Sequence, residues 1–219
     1  MHVLSSGTLI LPKFVRMITV KSFAFNPYQE NTYVLYDESG ACAIIDPGMY
    51  GAAEEERLAA FIRENALRPE ILLNTHCHID HVLGNRFVYD EYGLMPQMHA
   101  GEVPVLVEVQ NYAPQMGLRY DTSPIPETFL EDGQTVRFGQ SQLELILVPG
   151  HSPAHLCFYA AEQGILIGGD VLFRNSIGRT DLPGGNHEQL LLNIRQRVYT
   201  LPDETVVYPG HGPETTVGY

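Results

Sequence analysis

The most constraining feature of this chain is a segment that reads His76-Cys-His-Ile-Asp-His81, placed directly after the apolar stretch Ile71–Thr75. The apolar stretch predicts a short buried strand. Side chains two positions apart on extended backbone project to the same side, so His76 and His78 can share one ion. Asp80 falls where the chain turns into a predicted helix, which it could also cap. The segment therefore predicts a metal site at the end of a strand.

Three further segments place a ligand-type residue in one shared context: an apolar strand, a turn of small residues, and then a histidine or an aspartate. The segments are LELILVPG before His151, GILIGG before Asp170 and TVVYPG before His211. Pro-Gly and Gly-Gly turns let the backbone bend sharply at a strand end. Each turn therefore brings one side chain to the same edge of a sheet. A chance cluster of surface polar groups does not account for this repetition.

The remaining pattern predicts strands in runs, with helices between them. Strands are predicted over Ile18–Phe25, Asn31–Tyr36, Ala41–Asp46, Thr135–Phe138, Leu143–Val148, Leu156–Tyr159, Gly164–Ile167 and Thr205–Tyr208. Helices are predicted over Gly51–Leu67, His81–Tyr92, Gly101–Gln110 and His187–Tyr199. Sheets covered by helices on one side each fit this order, so we expect an α/β fold.

One long segment, from Asn111 to Pro126, is rich in Pro, Tyr and Met and has no clear period. It predicts a surface loop, and loops of this length are often functional. The loop either covers the site, is simply pinned to the surface, or contacts a second copy in a homo-oligomer.

Composition bounds the class of protein and its partners. The formal net charge of −13 argues against nucleic acid, because phosphate backbones attract Lys and Arg. No stretch approaches the roughly 20 apolar residues of a membrane span. The three cysteines form no disulfide framework, which favours a reducing, cytoplasmic compartment. Residues 1–16 lack the pattern of a signal peptide and are expected to be an N-terminal extension, so that residues 17–219 form one domain.

The HxHxDH segment with the later His, Asp and His resembles the metallo-β-lactamase fold superfamily, and within it the short glyoxalase II-like hydrolases. The resemblance implies a four-layer αβ/βα sandwich with two divalent ions at one edge. Carried over by position, one ion would be held by His76, His78 and His151, the other by Asp80, His81 and His211, and Asp170 would bridge both. Asp80 would also orient the attacking hydroxide. Imidazole and carboxylate favour zinc, although iron or manganese accept the same ligand types.

The resemblance places further residues near the metals. It implies that Asp46, in IIDPG, supports the metal loop, although an Asp before Pro-Gly is equally typical of a turn. Arg179 and Asp181, in the shared segment Ser176–Gly185, either shape the pocket or form a structural ion pair. Cys77, His99 and His187 are interpreted as structural, and His155 as either a supporting residue or a loop histidine.

The ligand types indicate hydrolysis, since two ions about 3.5–4 Å apart lower the pKa of a shared water. The leading hypothesis is a thioesterase acting on a small acyl thioester. Only eight residues follow His211, so the extra helical domain that supplies much of the glutathione site in glyoxalase II is not expected. The alternative is an iron-dependent persulfide dioxygenase, in which His76, His151 and Asp170 would hold one iron. β-Lactamase activity and a structural metal clamp are less favoured.

Overall fold

The computed structural model describes residues 17–219, and the predicted extension 1–16 lies outside the described residues. The first half of the described chain builds a five-stranded sheet in the order β1-β2-β3-β4-β5. Its strands are β1 (Thr19–Phe25), β2 (Glu30–Tyr36), β3 (Ala41–Ile45), β4 (Arg68–Leu73) and β5 (Pro96–Gln97). The first three strands pair antiparallel, whereas β3, β4 and β5 run parallel.

The second half builds a six-stranded sheet in the order β13-β12-β9-β8-β7-β6. Its strands are β6 (Thr135–Phe138), β7 (Ser141–Leu147), β8 (Leu156–Ala160), β9 (Ile165–Gly169), β12 (Val206–Pro209) and β13 (Thr215–Thr216). Only β9 and β12 pair in parallel within this sheet of the described chain. A small hairpin of β10 (Leu172–Phe173) and β11 (Ser176–Ile177) lies between β9 and β12 in the chain.

The two sheets face each other across the central core, where Leu35, Ile45 and Leu73 of the first sheet join Phe138, Leu145 and Phe158 of the second. On the outer face of the first sheet lie α1 (Ala52–Glu64) and α3 (Asn85–Tyr92), which bury Leu58, Ile62 and Val88 against it. On the outer face of the second sheet, α5 (His187–Asn193) buries Leu190. These four layers confirm the predicted αβ/βα sandwich.

Two helix predictions need correction. The helix predicted over His81–Tyr92 is two helices, α2 (Ile79–Val82) and α3, separated at Gly84. The backbone N–H of Gly84 donates a hydrogen bond to the carbonyl oxygen of Pro47 at 2.7 Å, so the chain between the two helices is bonded to a neighbouring loop. A Cβ at Gly84 would lie 2.8 Å from the same oxygen, so this close approach requires glycine. The helix predicted over His187–Tyr199 ends earlier, because α5 passes into a π-helical turn over Ile194–Val198.

The predicted loop Asn111–Pro126 is wrong in its first part. Helix α4 (Val103–Tyr112), which carries Pro104 in its first turn as expected, continues into a 3₁₀ turn over Ala113–Met116. Ala113 and Leu118 are buried in a small core with Met98 and Leu106. Apolar contacts thus order a segment whose composition lacks a helical period.

The fold brings four chain segments to one edge. The residues after β4, β7, β9 and β12 are, in turn, the histidine-rich segment, His151, Asp170 and His211. Because these strands end at the same side of the two sheets, the small-residue turns place the predicted donors together. Among the described residues, no helix is long and apolar enough to cross a membrane.

Candidate metal centre

Three imidazoles converge at the first donor group, which consists of His76, His78 and His151. Nδ1 of His78 lies 2.9 Å from Nε2 of His151, and that atom lies 3.1 Å from Nε2 of His76. Nitrogens about 2 Å from one tetrahedral ion lie about 3.3 Å from each other, so separations of 2.9 and 3.1 Å bring the three imidazoles close enough to share one ion. His76 and His151 are buried, so the group lies at the bottom of the site.

The second donor group consists of Asp80, His81 and His211. Oδ2 of Asp80 lies 3.0 Å from Nε2 of His211 and 3.8 Å from Nε2 of His81. His81 is fully buried, whereas the side chain of His211 keeps 28% exposure and that of Asp80 keeps 16%. The second group therefore faces the solvent side of the site.

The carboxylate of Asp170 lies between the two groups. Its Oδ2 is 3.5 Å from Nε2 of His151 and 3.7 Å from Nε2 of His211. Its Oδ1 is 3.5 Å from Nε2 of His81. One carboxylate thus contacts members of both groups, as the predicted bridging role requires.

Two orphaned atoms show that these residues fit metal ions. In the described part of the chain, Nε2 of His81 and Oδ1 of Asp170 are buried without a hydrogen-bond partner. Buried polar atoms normally have partners, because leaving one unsatisfied costs about 1–3 kcal/mol. Both orphans belong to imidazole or carboxylate, which are the donors that divalent transition metals accept.

The electrostatics of the site favour cations beside neutral imidazoles. Burial lowers the pKa of His76 well below its ordinary value, and burial together with His151 lowers the pKa of His78 to about 3. Neutral imidazole is the form that binds a metal. Burial also lowers the pKa of His81, but the carboxylates of Asp170 and Asp80 raise it more, so it lies well above its ordinary value. A metal ion would replace that proton.

Asp46 supports the site from behind. Its carboxylate accepts hydrogen bonds from the backbone N–H of Thr75 at 2.7 Å and from the Thr75 hydroxyl at 2.6 Å. Its Oδ2 also lies 3.1 Å from Nδ1 of His81. A carboxylate on the far nitrogen of an imidazole fixes the tautomer and turns the other nitrogen to the metal. The backbone at Asp46 has φ of 48°, so the residue also forms the sharp turn before Pro47.

Arg179 contacts the site through its backbone rather than its side chain. Its carbonyl oxygen accepts a hydrogen bond from Nδ1 of His151 at 2.7 Å. Its guanidinium pairs with Asp181 at 2.7 Å, and the two side chains are 61% and 67% exposed. The sequence predicted this pair as one of two alternatives, and a pocket role for these side chains stays a prediction.

His155 lies closer to the site than its place in a loop indicated. It is fully buried, and its ring stacks on that of His76 with centroids 4.9 Å apart. Its Nε2 contacts the backbone of Asp170. The spacing HSPAH carries no signal for this position, because the contacts of the ring are with distant segments. Cys77 faces away from the donors, with its Sγ 3.3 Å from the Met98 sulfur.

The chain belongs to the metallo-beta-lactamase superfamily, since the sequence model of that superfamily matches residues 25–211. This match confirms the resemblance and indicates a metallo-hydrolase. A probable metallo-hydrolase of Bacillus subtilis, YqgX, is 36% identical over 87% of this chain and 89% of its own length. The hydroxyacylglutathione hydrolase GloC of Haemophilus influenzae is 34% identical over the same shares.

Two solved structures share the fold at similar sequence identity. The BLEG-1 B3 metallo-beta-lactamase superposes with a TM-score of 0.83 at 33% identity, covering 91% of this chain and 95% of that one. TTHA1623 in a di-iron-bound form superposes with a TM-score of 0.81 at 36% identity, covering 91% of this chain and 96% of that one. The family is thus clear, while the names of its members indicate different activities and one structure contains two iron ions.

Proposed function

We propose that this chain is a thioesterase of the glyoxalase II-like type that works with two divalent ions. The observation that carries the proposal is the carboxylate of Asp170, which lies within 3.5–3.7 Å of His151 in one donor group and His211 in the other. A carboxylate in this place, between two complete groups of His and Asp donors, supports a centre of two ions.

Each residue has an assigned place in the proposed centre. His76, His78 and His151 would hold one ion, Asp80, His81 and His211 the other, and Asp170 both. Zinc is the proposed metal, although the same donors accept iron or manganese. When bound, a pair of such ions supplies hydroxide at neutral pH and polarises a carbonyl.

The protein's own groups prepare this centre. Asp46 accepts the Nδ1 proton of His81, and the carbonyl of Arg179 accepts the Nδ1 proton of His151, so that Nε2 of each ring presents its lone pair to the site. The carboxylate of Asp80 is partly exposed. It would accept a hydrogen bond from the attacking water and orient it towards the substrate carbonyl.

The thioester class rests on chemistry and on one relative. A thiol has a pKa near 8.5, so a thiolate leaves without a strong general acid, and a nucleophile beside a polarised carbonyl suffices. GloC of Haemophilus influenzae is named as a hydroxyacylglutathione hydrolase and matches most of this chain. The proposed substrate is therefore a small acyl thioester.

The test combines elemental analysis with a substrate panel. Protein purified without added metal is analysed for zinc, iron and manganese, then assayed before and after chelation on S-lactoylglutathione, other acyl thioesters and a β-lactam. Oxygen consumption is measured in parallel on glutathione persulfide. Two ions per chain with chelator-sensitive thioester turnover support the proposal. One iron per chain with oxygen consumption on glutathione persulfide would establish the alternative, a persulfide dioxygenase whose iron is held by His76, His151 and Asp170. Turnover of the β-lactam alone would assign the activity named for the BLEG-1 neighbour.

A further inference from the structure

A buried carboxylate lies outside the two donor groups and links the segments that carry them. Glu102 closes the 3₁₀ turn Ala100–Glu102 just before α4 and is fully buried. Its Oε2 accepts a hydrogen bond from the backbone N–H of Cys77 at 3.0 Å, and its Oε1 accepts one from the N–H of Ala154 at 2.7 Å. The hydroxyl of Ser152 lies 2.6 Å from both oxygens.

These three partners belong to the two loops that form the three-histidine group. Cys77 lies between His76 and His78, whereas Ser152 directly follows His151. The loops are 75 positions apart at His76 and His151, yet their imidazole nitrogens lie 3.1 Å from each other. Glu102 is hydrogen-bonded to the backbone of both loops and therefore fixes their separation.

We propose that Glu102 is a positioning residue that holds the three-histidine group at the distances one ion requires. The inference rests on the proposed metal centre. Supporting residues around metal ligands change metal affinity by about 10–100-fold when removed, because ligand positions must hold to about 0.5 Å. Glu102 acts on backbone N–H groups at positions 77 and 154, so its effect reaches the imidazoles through the chain.

The second group has supports of its own. Nδ1 of His81 faces Asp46, and Nδ1 of His211 lies 3.1 Å from the backbone oxygen of Tyr28. Removal of the Glu102 charge should therefore weaken one ion much more than the other. This selectivity separates positioning of a metal group from a general contribution to folding.

The primary variant is Glu102→Gln, which keeps the size of the side chain. An amide offers one accepting oxygen, so either the N–H of Cys77 or that of Ala154 would face an N–H group instead. We expect the affinity for one of the two ions to fall about 10–100-fold. Ser152→Ala removes the hydroxyl but keeps the carboxylate and both backbone donors. It should therefore lower the affinity for the same ion by a smaller factor.

The matched control is Asp37→Asn. Asp37 is another buried carboxylate that accepts two backbone N–H groups, from Ser39 and Gln140, and two hydroxyls, from Ser39 and Ser141. It lies at the turn between β2 and β3, away from the donor groups. The Asp37→Asn substitution should lower the melting temperature of the metal-free protein while leaving both metal affinities unchanged.

The experiment titrates metal-free protein with Zn²⁺ against a chromophoric chelator and with Co²⁺ by visible absorption. His78→Ala removes one ligand of the three-histidine group and shows which of the two metal affinities depends on that group. We expect the wild type to bind two ions and Glu102→Gln to lose affinity at the same ion as His78→Ala. Unchanged affinities in Glu102→Gln, or losses no larger than those of Asp37→Asn, overturn the inference. If Glu102→Gln does not fold, an unchanged affinity in Ser152→Ala overturns it. A wild type that binds no ion refutes the proposed function itself, and the inference falls with it.

Discussion

The Nε2 atom of His155 accepts a hydrogen bond from the backbone N–H of Asp170 at 3.0 Å. The bond fixes the start of the turn after β9, and with it the carboxylate that lies between the two donor groups. His155 also packs its ring on that of His76. One buried imidazole thus contacts a member of the three-histidine group and the backbone of the aspartate between the two groups. The side chain thus shapes the centre without being one of the proposed ligands.

His155→Ala should therefore lower kcat/KM for the thioester by about 10–100-fold, the range seen when supports of metal ligands are lost. The Asp170 N–H would be left without its acceptor, and the space beside His76 would be empty. Steady-state kinetics on zinc-loaded protein, with zinc content measured in parallel, checks this. His155→Gln offers an amide oxygen to the same N–H and should recover part of the loss. Full activity in His155→Ala would show that the hydrogen bond has no part in the site.

Gly210 leaves room for the bridging carboxylate. A Cβ at this position would meet Oδ1 of Asp170 and would lie 2.7 Å from a ring carbon of His81. Gly210→Ala should therefore displace both side chains and reduce the bound zinc below two ions per chain. Gly212→Ala is the control, since a Cβ there meets nothing within 4 Å, although its φ of +73° adds backbone strain. Metal analysis after dialysis distinguishes them, and equal zinc content in the two variants would contradict the expectation.

The donors could be predicted from sequence because each follows a local pattern, namely an apolar strand and a turn of small residues. The structure adds a reason for the glycine of the last turn, which is the space that Asp170 occupies rather than an unusual φ. Sheets covered by helices could also be predicted, because strands come in runs with helices between them, whereas the four-layer αβ/βα order followed from the family resemblance. What the pattern could not predict depends on contacts between distant segments.

Glu102 and His155 illustrate this limit. Glu102 lies 25 positions from Cys77 and 52 from Ala154, and no local spacing connects it with either loop. His155 contacts the ring of His76 and the backbone of Asp170, and no local spacing connects it with either residue. At the break between α2 and α3, the Gly84 N–H likewise bonds to the distant Pro47 carbonyl, a contact that a helical period does not predict.

Arg179→Ala should leave the metal centre intact. The contact with His151 uses the Arg179 carbonyl, which alanine retains. The ion pair with Asp181 is exposed, and such pairs contribute little to stability because solvent screens them. We expect unchanged zinc content and kcat, with a free energy of unfolding close to that of the wild type. Michaelis constants for the thioester decide the remaining question: a raised KM would support the predicted pocket role, and an unchanged KM would remove it.

Asp37 should make the stability of the metal-free protein depend on pH in acid. Burial raises the pKa of this carboxyl, but hydrogen bonds from Ser39, Gln140 and Ser141 lower it more, so it lies below its ordinary value of 3.8. A carboxylate with a depressed pKa in the folded state stabilises the protein above the unfolded pKa, and this contribution is lost as pH falls through the folded pKa.

Asp37→Asn should consequently cost about 1–3 kcal/mol at pH 6, the range for buried hydrogen-bonding groups left unsatisfied, and less at pH 3. Urea unfolding of both metal-free proteins at the two pH values measures the difference. Glu38→Gln, which removes an exposed neighbouring carboxylate, is the control and should change stability by less than about 0.5 kcal/mol at either pH. A gap between wild type and Asp37→Asn that stays constant from pH 6 to pH 3 would show that the ionised form of Asp37 is not what stabilises the turn. We expect the difference in unfolding free energy between the two proteins to become smaller at pH 3. The reason is that a protonated Asp37 carboxyl in the wild type resembles the neutral amide of the variant.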